Sequence, residues 1–588
     1  MFTGTVGNSW VFRSGGDIEL FSNGYDPNPG DGVFVGGDWG LFFLHNPDGS
    51  FTAPPGLDAT MVLNQDYSTT VTFHASGLRY HWSPGGGPLM SVTDRNGNTI
   101  SFNYDPNTGN QTAVTDTQGR SITFDHNSPY SSRLISAMHD PTGRTWQYQY
   151  DSNQNLTQYT DPAGKLTTYS YDANNQVTQI QDPNGDVTKL TYDPSFRVAS
   201  ITLGWGSPVQ ATYNYTYNAG NTVVTDPNNH QTTYAYDGQQ RLTAVTDALG
   251  NSQQWAWTAD NHVQQYTDAK GKVTTYSYDG NNLTKVQLPT GAATSWAYQD
   301  AGHPYYPTGV TDPQGNTVSY HYTAAGNVDT VTNQLPSQNQ TQLFYSGNAT
   351  SYAYDAQGNL RTITPPSPMG PTNIWPDALS RTIEATDGNS VQSDYLYDPL
   401  DRPTTLTYPS YYQGNVAHAY DNDGNVTSMT DNNGVTGYQY DARNRQTQKT
   451  LPASLGGGSF SHGYDGASNL TGFTDTASVP GQTLAVTCGY NPADLVTSLS
   501  ENGKTTGFGY DQNHRRTSTT YPDGVVMSQA YDDSGRLSSI AGMSGGTTLS
   551  SFAYSYARGS ADTVLPQSYT ETLRSPSGGV SQVNGARA

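Results

Sequence analysis

Between Thr160 and Asp193 the chain says one phrase twice, TDPAGKLTTYSYDANNQVTQI and then QDPNGDVTKLTYD, with Asp-Pro-x-Gly and Tyr-Asp each returning after 21 residues. The second residue of Tyr-x-Tyr-Asp, or of a variant, recurs at Tyr150, Tyr171, Tyr192, Tyr217, Tyr236, Trp257, Tyr278, Tyr298 and Tyr322. It resumes at Tyr354, Tyr397, Tyr420, Tyr440, Tyr464, Tyr490, Tyr510 and Tyr531. Most steps are 19 to 26 residues, and the 43 from Tyr354 to Tyr397 read as two repeats with one degenerate marker. A period of this length means an array whose units pack on their neighbours, so 588 residues need not divide into separate cores.

Each unit reads as a hairpin. In Asp161-Pro-Ala-Gly164 the aspartate can accept backbone N–H groups, Pro162 presets φ and Gly164 closes a type I turn. Asp140-Pro-Thr-Gly143, Asp182-Pro-Asn-Gly185 and Asp312-Pro-Gln-Gly315 repeat it. In the strand KLTTYSYD, Thr167, Tyr169 and Tyr171 share one face and Leu166, Thr168 and Ser170 the other. The second strand, as in Asn155-Leu-Thr-Gln-Tyr-Thr-Asp161, carries apolar residues three apart, which breaks alternation. Five or six residues between turn signals are too few for a helix, so a bulged or strongly twisted strand is expected. Tyrosines aligned from hairpin to hairpin are expected to form cross-strand aromatic ladders.

Hydrophobic residues make up 33%, below the ~45–50% of ordinary globular chains. Disorder does not follow: 43 Tyr, 16 Phe and 9 Trp supply large apolar surfaces, and only 13% of residues are charged. The net charge of −23 is spread as single turn aspartates, which argues against nucleic-acid binding. Cys488 alone forms no internal disulfide, and no run of ~18 apolar residues offers a membrane span. The N-terminal MFTGTVGNSWVFRSGGD has neither the basic start nor the apolar stretch of a signal peptide, so export by another route or a start inside a longer protein is expected.

The phrase Gly-x-Leu/Val-Thr-x-x-Thr-Asp-Pro-x-Gly-x-x-Thr-x-Tyr-x-Tyr-Asp resembles the YD repeat of bacterial Rhs proteins, of Tc-toxin shell components and of the teneurin ectodomain, over roughly residues 90 to 560. Residues 49 to 82 resemble the segment leading into the repeats of large Rhs proteins. The resemblance implies an all-β fold, a spiralling antiparallel sheet of about twenty YD-repeat hairpins forming a shell, often around a C-terminal toxic cargo. It divides the chain into an Rhs-type lead-in at 1–89, a YD shell at 90–557 with irregular insertions near 325–395, and a polar tail at 558–588. At its end the chain departs from the family: nothing matches the core motif where autoproteolysis frees the cargo, and the tail has no room for a toxin domain. Some forty-four strands of ~8 residues would cover roughly 5,500 Å², too little to close around a toxin-sized cargo, so a partial, open shell is expected.

Chemical motifs are weak. Gly542-Met-Ser544-Gly-Gly546 fits a nucleophile elbow, but that needs a helix after it, and TTLSSFAYSY reads as a strand. Asp421-Asn-Asp423-Gly-Asn425 suggests calcium, yet lacks the EF-hand order and its terminal Glu, so a turn is expected. His74 and His81 near Trp82 have no third metal ligand and read as packing or surface residues. Aspartates recurring at equivalent positions, Asp151, Asp172, Asp193, Asp237 and Asp279, argue for turn capping rather than acid–base chemistry. No catalytic, cofactor or metal residue is therefore assigned. The expected function is a non-enzymatic shell or scaffold segment of an Rhs-type polymorphic toxin or large bacterial surface protein, extracellular or on the cell surface. Its expected partners are further YD-shell segments or a cargo domain. The alternative is an adhesive or carbohydrate-binding module using exposed Tyr, Trp and Asn; a hydrolase using Ser544 ranks last.

Overall fold

The computed structural model describes residues 41–54, 57–74, 76–95, 97–334, 349–356, 358–409, 414–477, 481–558, 561–562, 568–574 and 580–586, preceded by short strands at Thr3–Gly4, Gly7–Asn8, Leu20–Ser22 and Gly32–Val35. Among these residues the regular structure is β throughout, apart from one 3-10 turn at Ala453–Leu455.

Both turn phrases build the same loop. In Asp-Pro-Ala-Gly, Gly164 N–H donates to Asp161 C=O at 2.9 Å and Asp161 N–H donates to Lys165 C=O at 3.0 Å. Asp161 Oδ1 accepts from the N–H groups of Ala163 and Lys165 at 2.9 and 2.8 Å. Gly164 lies at φ +77°, where glycine meets no Cβ penalty. In Tyr-Asp, Asp172 Oδ1 accepts from Asn174 and Gln176 N–H at 2.8 and 2.9 Å, and Asn175 takes the left-handed position at φ +61°. Each is a type I turn followed by a left-handed residue, a three-residue hairpin connection that keeps the strand twist.

The expected bulge is present and has a chemical cause. Tyr171 pairs with Val177 but Ser170 with Gln179, so Thr178 is the extra residue. Its hydroxyl donates to Ser170 C=O at 3.2 Å; Thr157, Thr243 and Thr404 do the same to Gln149, Ala235 and Leu396 at 3.2 Å. Where a Thr stands in second place on that strand, it is thus the residue that holds the bulge.

The tyrosines bind repeat to repeat, though not chiefly by ring contact as the ladder reading expected. Ring pairs occur across Tyr148–Tyr159 and Trp255–Tyr266, at 5.7 and 5.5 Å. Elsewhere the first Tyr faces a branched aliphatic residue, as Tyr169 faces Ile180. What recurs is a hydrogen bond: Tyr171 OH donates to Leu156 C=O, fifteen residues upstream, at 2.6 Å, and Tyr150, Tyr192, Tyr278, Tyr397 and Tyr531 reach Ile135, Val177, Val263, Thr382 and Arg516 likewise. Trp257 substitutes with Nε1–H to Leu242 C=O at 2.8 Å.

These hairpins form one antiparallel sheet of 47 strands. It runs in chain order from Ala59–Leu63 to Thr547–Ser555, then through Ser568–Arg574 to Val580–Ala586. The order can be written as a ring, but among the described residues no register joins Val580–Ala586 to Ala59–Leu63, and the sheet is open. Thr372–Pro376 supplies the degenerate repeat between Tyr354 and Tyr397, with Pro376 in the marker position. The segment expected as a polar tail contributes two strands to the sheet, and most strands have five or six residues rather than eight because the turns consume the rest. Of the insertions expected near 325–395, residues 335–348 lie outside the described residues.

A small sheet, Leu20–Ser22, Gly32–Val35, Leu41–His45 and Phe51–Thr52, packs on the start of the large one. There Phe43, Met61, Val71, Trp82, Leu89 and Phe102 make the largest buried cluster, on the face that carries Tyr80 and Tyr104. Elsewhere the sheet has little core and depends on its ladders.

Tyr171→Phe, which removes one repeat-to-repeat bond, should cost about 0.5–1.5 kcal/mol, and Tyr169→Ala with Tyr171→Ala several kcal/mol. Asp172→Asn, whose Oδ1 can still accept both N–H groups, should stay within about 0.5 kcal/mol. Urea melts giving the reverse order would refute this account of the repeat.

Candidate functional site

Call the Asp-Pro-x-Gly end of the hairpins the lower rim and the Tyr-Asp end the upper rim. Long-range contacts join the lower rim of the first half of the sheet to the upper rim of the second. Arg120 Nη1 donates to Ala378 C=O, and Arg144 Nη1 to Pro399 C=O and Asp401 Oδ1, both at 2.8 Å. Asn184 Nδ2 donates to Asp421 Oδ2 at 3.1 Å, Asn228 Nδ2 to Asp465 Oδ2 at 2.9 Å, and Ser534 Oγ to Thr290 Oγ1 at 2.8 Å. Lys270 and Lys272 pair with Asp511 and Asp533 at 3.7 and 2.8 Å, and His514 Nε2 meets Asp247 Oδ2 at 2.6 Å. The partners are 237 to 267 residues apart. The sheet therefore winds into two stacked coils that touch along a seam of turns. At 21 residues per hairpin, one coil holds about twenty-three strands, a circumference of roughly 110 Å and a mid-plane radius of roughly 18 Å.

The first coil is fastened where the repeat is interrupted. Tyr306, buried, lies under the Arg95 guanidinium at 4.1 Å, and Tyr305 stacks on His74 at 5.2 Å. His74 also meets Asp58 Oδ1 through Nδ1 at 2.8 Å and Thr60 Oγ1 through Nε2 at 2.5 Å. That connectivity is the one acyl transfer uses. Here the imidazole is built into the contact between coils, and Thr60 stands on the outermost strand of the sheet.

A second feature, overlooked in the sequence, orders the rims. Arg recurs four residues after many turn aspartates, and Arg241, Arg402, Arg445, Arg515 and Arg536 each pair with that aspartate at 2.6 to 2.7 Å. The guanidinium then covers the marker aromatic of the next repeat: Arg402 over Tyr420 at 4.5 Å, Arg445 over Tyr464 at 4.7 Å, Arg536 over Tyr556 at 4.3 Å. The signal was visible as Tyr-Asp-x-x-x-Arg. Burial pushes the Asp441 carboxyl up, but hydrogen bonds from the Arg445 side chain and from the backbone of Arg443 and Arg445 outweigh it and hold the group below the usual carboxylate range.

The sequence candidates fall as follows. Ser544 ends the strand Leu537–Ser544 and Gly545-Gly546 turns directly into Thr547–Ser555, without the helix an elbow requires. Asp421 caps its turn, accepting Asp423 and Asn425 N–H at 3.0 and 2.8 Å. Asp423 faces across the seam, where it, Asp182 and Asp186 bring one carboxylate oxygen each within 4.8 Å of one another; Asp226, His230 and Asp494 converge similarly. Three oxygens fall well short of the six to eight that calcium takes. His81 Nδ1 lies 3.2 Å from Thr70 Oγ1. Cys488 is half-buried, and burial pushes its thiol up, which disfavours the reactive thiolate.

Residues 86–121, 131–166, 150–187, 171–204, 218–252, 257–293, 420–454 and 490–526 match the RHS repeat family. This is an RHS-repeat protein. Its RHS hairpins superpose on the crystal structure of TcdB2-TccC3 with a TM-score of 0.52 at 12% identity, over 97% of this chain and 42% of that one. The same complex without its hypervariable C-terminal region gives 0.52 and 12%, over 95% and 42%. At that identity the likeness is one of fold, and the RHS-repeat chain spans less than half the length of either match. No curated protein matches its sequence. No helix among the described residues is long and apolar enough to cross a membrane.

Asp441→Asn, which weakens the Arg445 pair, should cost about 1–2 kcal/mol, well above Asp172→Asn. The Asp441 contribution is present above the ordinary carboxylate value of 3.8 and is lost as pH falls below it. The two variants should therefore converge in acid melts. A fluorophosphonate probe should leave Ser544 unlabelled; labelling lost in Ser544→Ala would restore the hydrolase reading.

Proposed function

We propose that this RHS-repeat protein is a non-enzymatic wall segment of a hollow shell, a scaffold that encloses or supports part of a polymorphic toxin or large bacterial surface protein outside the cell. The observation that carries the reading is the seam. One continuous sheet wound so that each lower rim rests on the upper rim of the next coil is a wall, and the repeated residues are spent on turns, bulges and repeat-to-repeat bonds. Open end strands suit addition of further shell from the same or a neighbouring chain. A cargo domain would then sit in a lumen of roughly 13 Å radius, once side chains of ~5 Å are allowed for. The lead-in, shell and tail division is retained, with the tail's strands extending the wall.

A zero-length carbodiimide cross-linker should join peptides containing Lys272 and Asp533, whose Nζ and Oδ1 are 2.8 Å apart. Electron microscopy should show a hollow two-coil particle. A solid sandwich, or no cross-coil product while pairs within a coil react, would overturn the wall reading.

A second reading, carbohydrate binding, draws on an open depression of about 650 Å³ lined by Gln299, Asp300, His303, Tyr320, His321 and Tyr322, where rings and hydrogen-bonding groups lie together. Glycan-array binding lost in Tyr320→Ala would favour it.

A further inference from the structure

Every cross-coil contact on the seam runs between side chains and turn atoms, whereas each coil is internally laced by strand ladders. The seam is therefore the surface along which the spiral parts at least cost. Along most of it a donor or cation meets a carboxylate or carbonyl: Arg144 to Asp401, Asn228 to Asp465, Lys272 to Asp533. Carboxylates meet at two places: at one, Asp226 and Asp494 have the His230 imidazole beside them, and at the other the trio is carboxylates alone. Asp182 and Asp186, from the lower rim of the first coil, face Asp423 from the upper rim of the second, with oxygens within 4.8 Å.

The surrounding charges leave this contact uncompensated. Asp421 and Asp441 add negative potential at Asp186. Arg445 is committed to Asp441 at 2.7 Å, Arg402 to Asp398 at 2.7 Å and to Asp421 C=O at 3.3 Å, and Arg443 to Gly466 C=O at 2.9 Å. Asn184 spends its N–H on Asp423 Oδ1 at 3.2 Å and its amide on Asp421 Oδ2. Asp423 Oδ2 is enclosed and has no donor. The group missing from this contact is a proton.

We propose that the seam is a proton-operated clasp, in which one proton shared between Asp182 and Asp423 draws the coils together in mild acid and its loss near neutral pH lets them part. Burial, with the charges of Asp423 and Asp186 after it, pushes Asp182 up to about 6. A carboxyl raised in the folded state stabilises most below its ordinary 3.8, and that stabilisation is lost as pH rises through about 6. The Arg-paired turn aspartates act the opposite way and only below 3.8. Between those limits the clasp is the opposing influence, and the clasp rests on the coil geometry alone, whatever the shell encloses.

The test is hydrogen–deuterium exchange of the full chain at pH 5.0 and 7.5, corrected for the intrinsic pH dependence, on peptides covering 182–186 and 421–425. Wild type should exchange several-fold faster at pH 7.5. Asp423→Asn should be slow at both pH values, with Asp182→Asn as the second variant should the first fail to fold. Asp151→Asn, off the seam, should keep the wild-type difference. The same peptides at pH 7.5 with 1 mM CaCl2 or with EDTA should exchange alike. A pH-independent wild type overturns the clasp. So does protection by calcium that Asp423→Asn abolishes, which would make the cluster a cation-binding one.

Discussion

The bond that recurs from marker tyrosines to a carbonyl in the preceding repeat is what makes a row of hairpins into a wall. A lone two-stranded hairpin is marginal in water. The chain has only one sizeable buried cluster among its described residues, around Phe43 and Trp82, to compensate. Tyr171 OH on Leu156 C=O ties the end of one hairpin to the start of the last strand before it, and the donor is spent on a carbonyl beside the bulge rather than on water. The ring body buries apolar area and the hydroxyl fixes direction, which explains why Trp257, with its own N–H, is the substitute accepted at this position while its carbonyl partner stays in place.

The bulge sets the curvature. One extra residue on the second strand of most hairpins, often a Thr held by its hydroxyl, adds bend in one sense from repeat to repeat. Accumulated over a coil, that bend brings turns 237 residues apart into contact. The rims then matter as surfaces. Lower-rim loops of the first coil project a donor, Asn184, Asn228 or Lys270, toward Tyr-Asp loops of the second. On the second coil's lower rim several connections are two-residue turns, as Asp431 to Gly434, Glu501 to Lys504 and Ser544 to Thr547 are. These loops lack the three-residue geometry that the seam uses, so the two rims of the spiral are chemically different.

Capping explains most of the acidic charge. An aspartate that accepts two backbone N–H groups satisfies donors a tight turn would leave bare, and its second oxygen is free for the Arg or Asn four residues on, as in Asp441 with Arg445 and Asp421 with Asn425. The excess of negative charge is thus distributed one turn at a time, and self-repulsion is kept low except where two rims place aspartates face to face.

The sequence by itself determined the repeat, the hairpin, both turn types, the need for a bulge, and the structural duty of Asp151 or Asp172, because each is settled by residues within one period. It also held the Tyr-Asp-x-x-x-Arg signal, whose meaning depends on Tyr464 lying under Arg445 one repeat later. The tertiary structure alone decided that Asp182 meets Asp423, that Tyr305 reaches His74, and that the supposed tail extends the sheet. Such contacts depend on the coil circumference, a sum of small bends over about twenty-three strands, and no single period contains that sum.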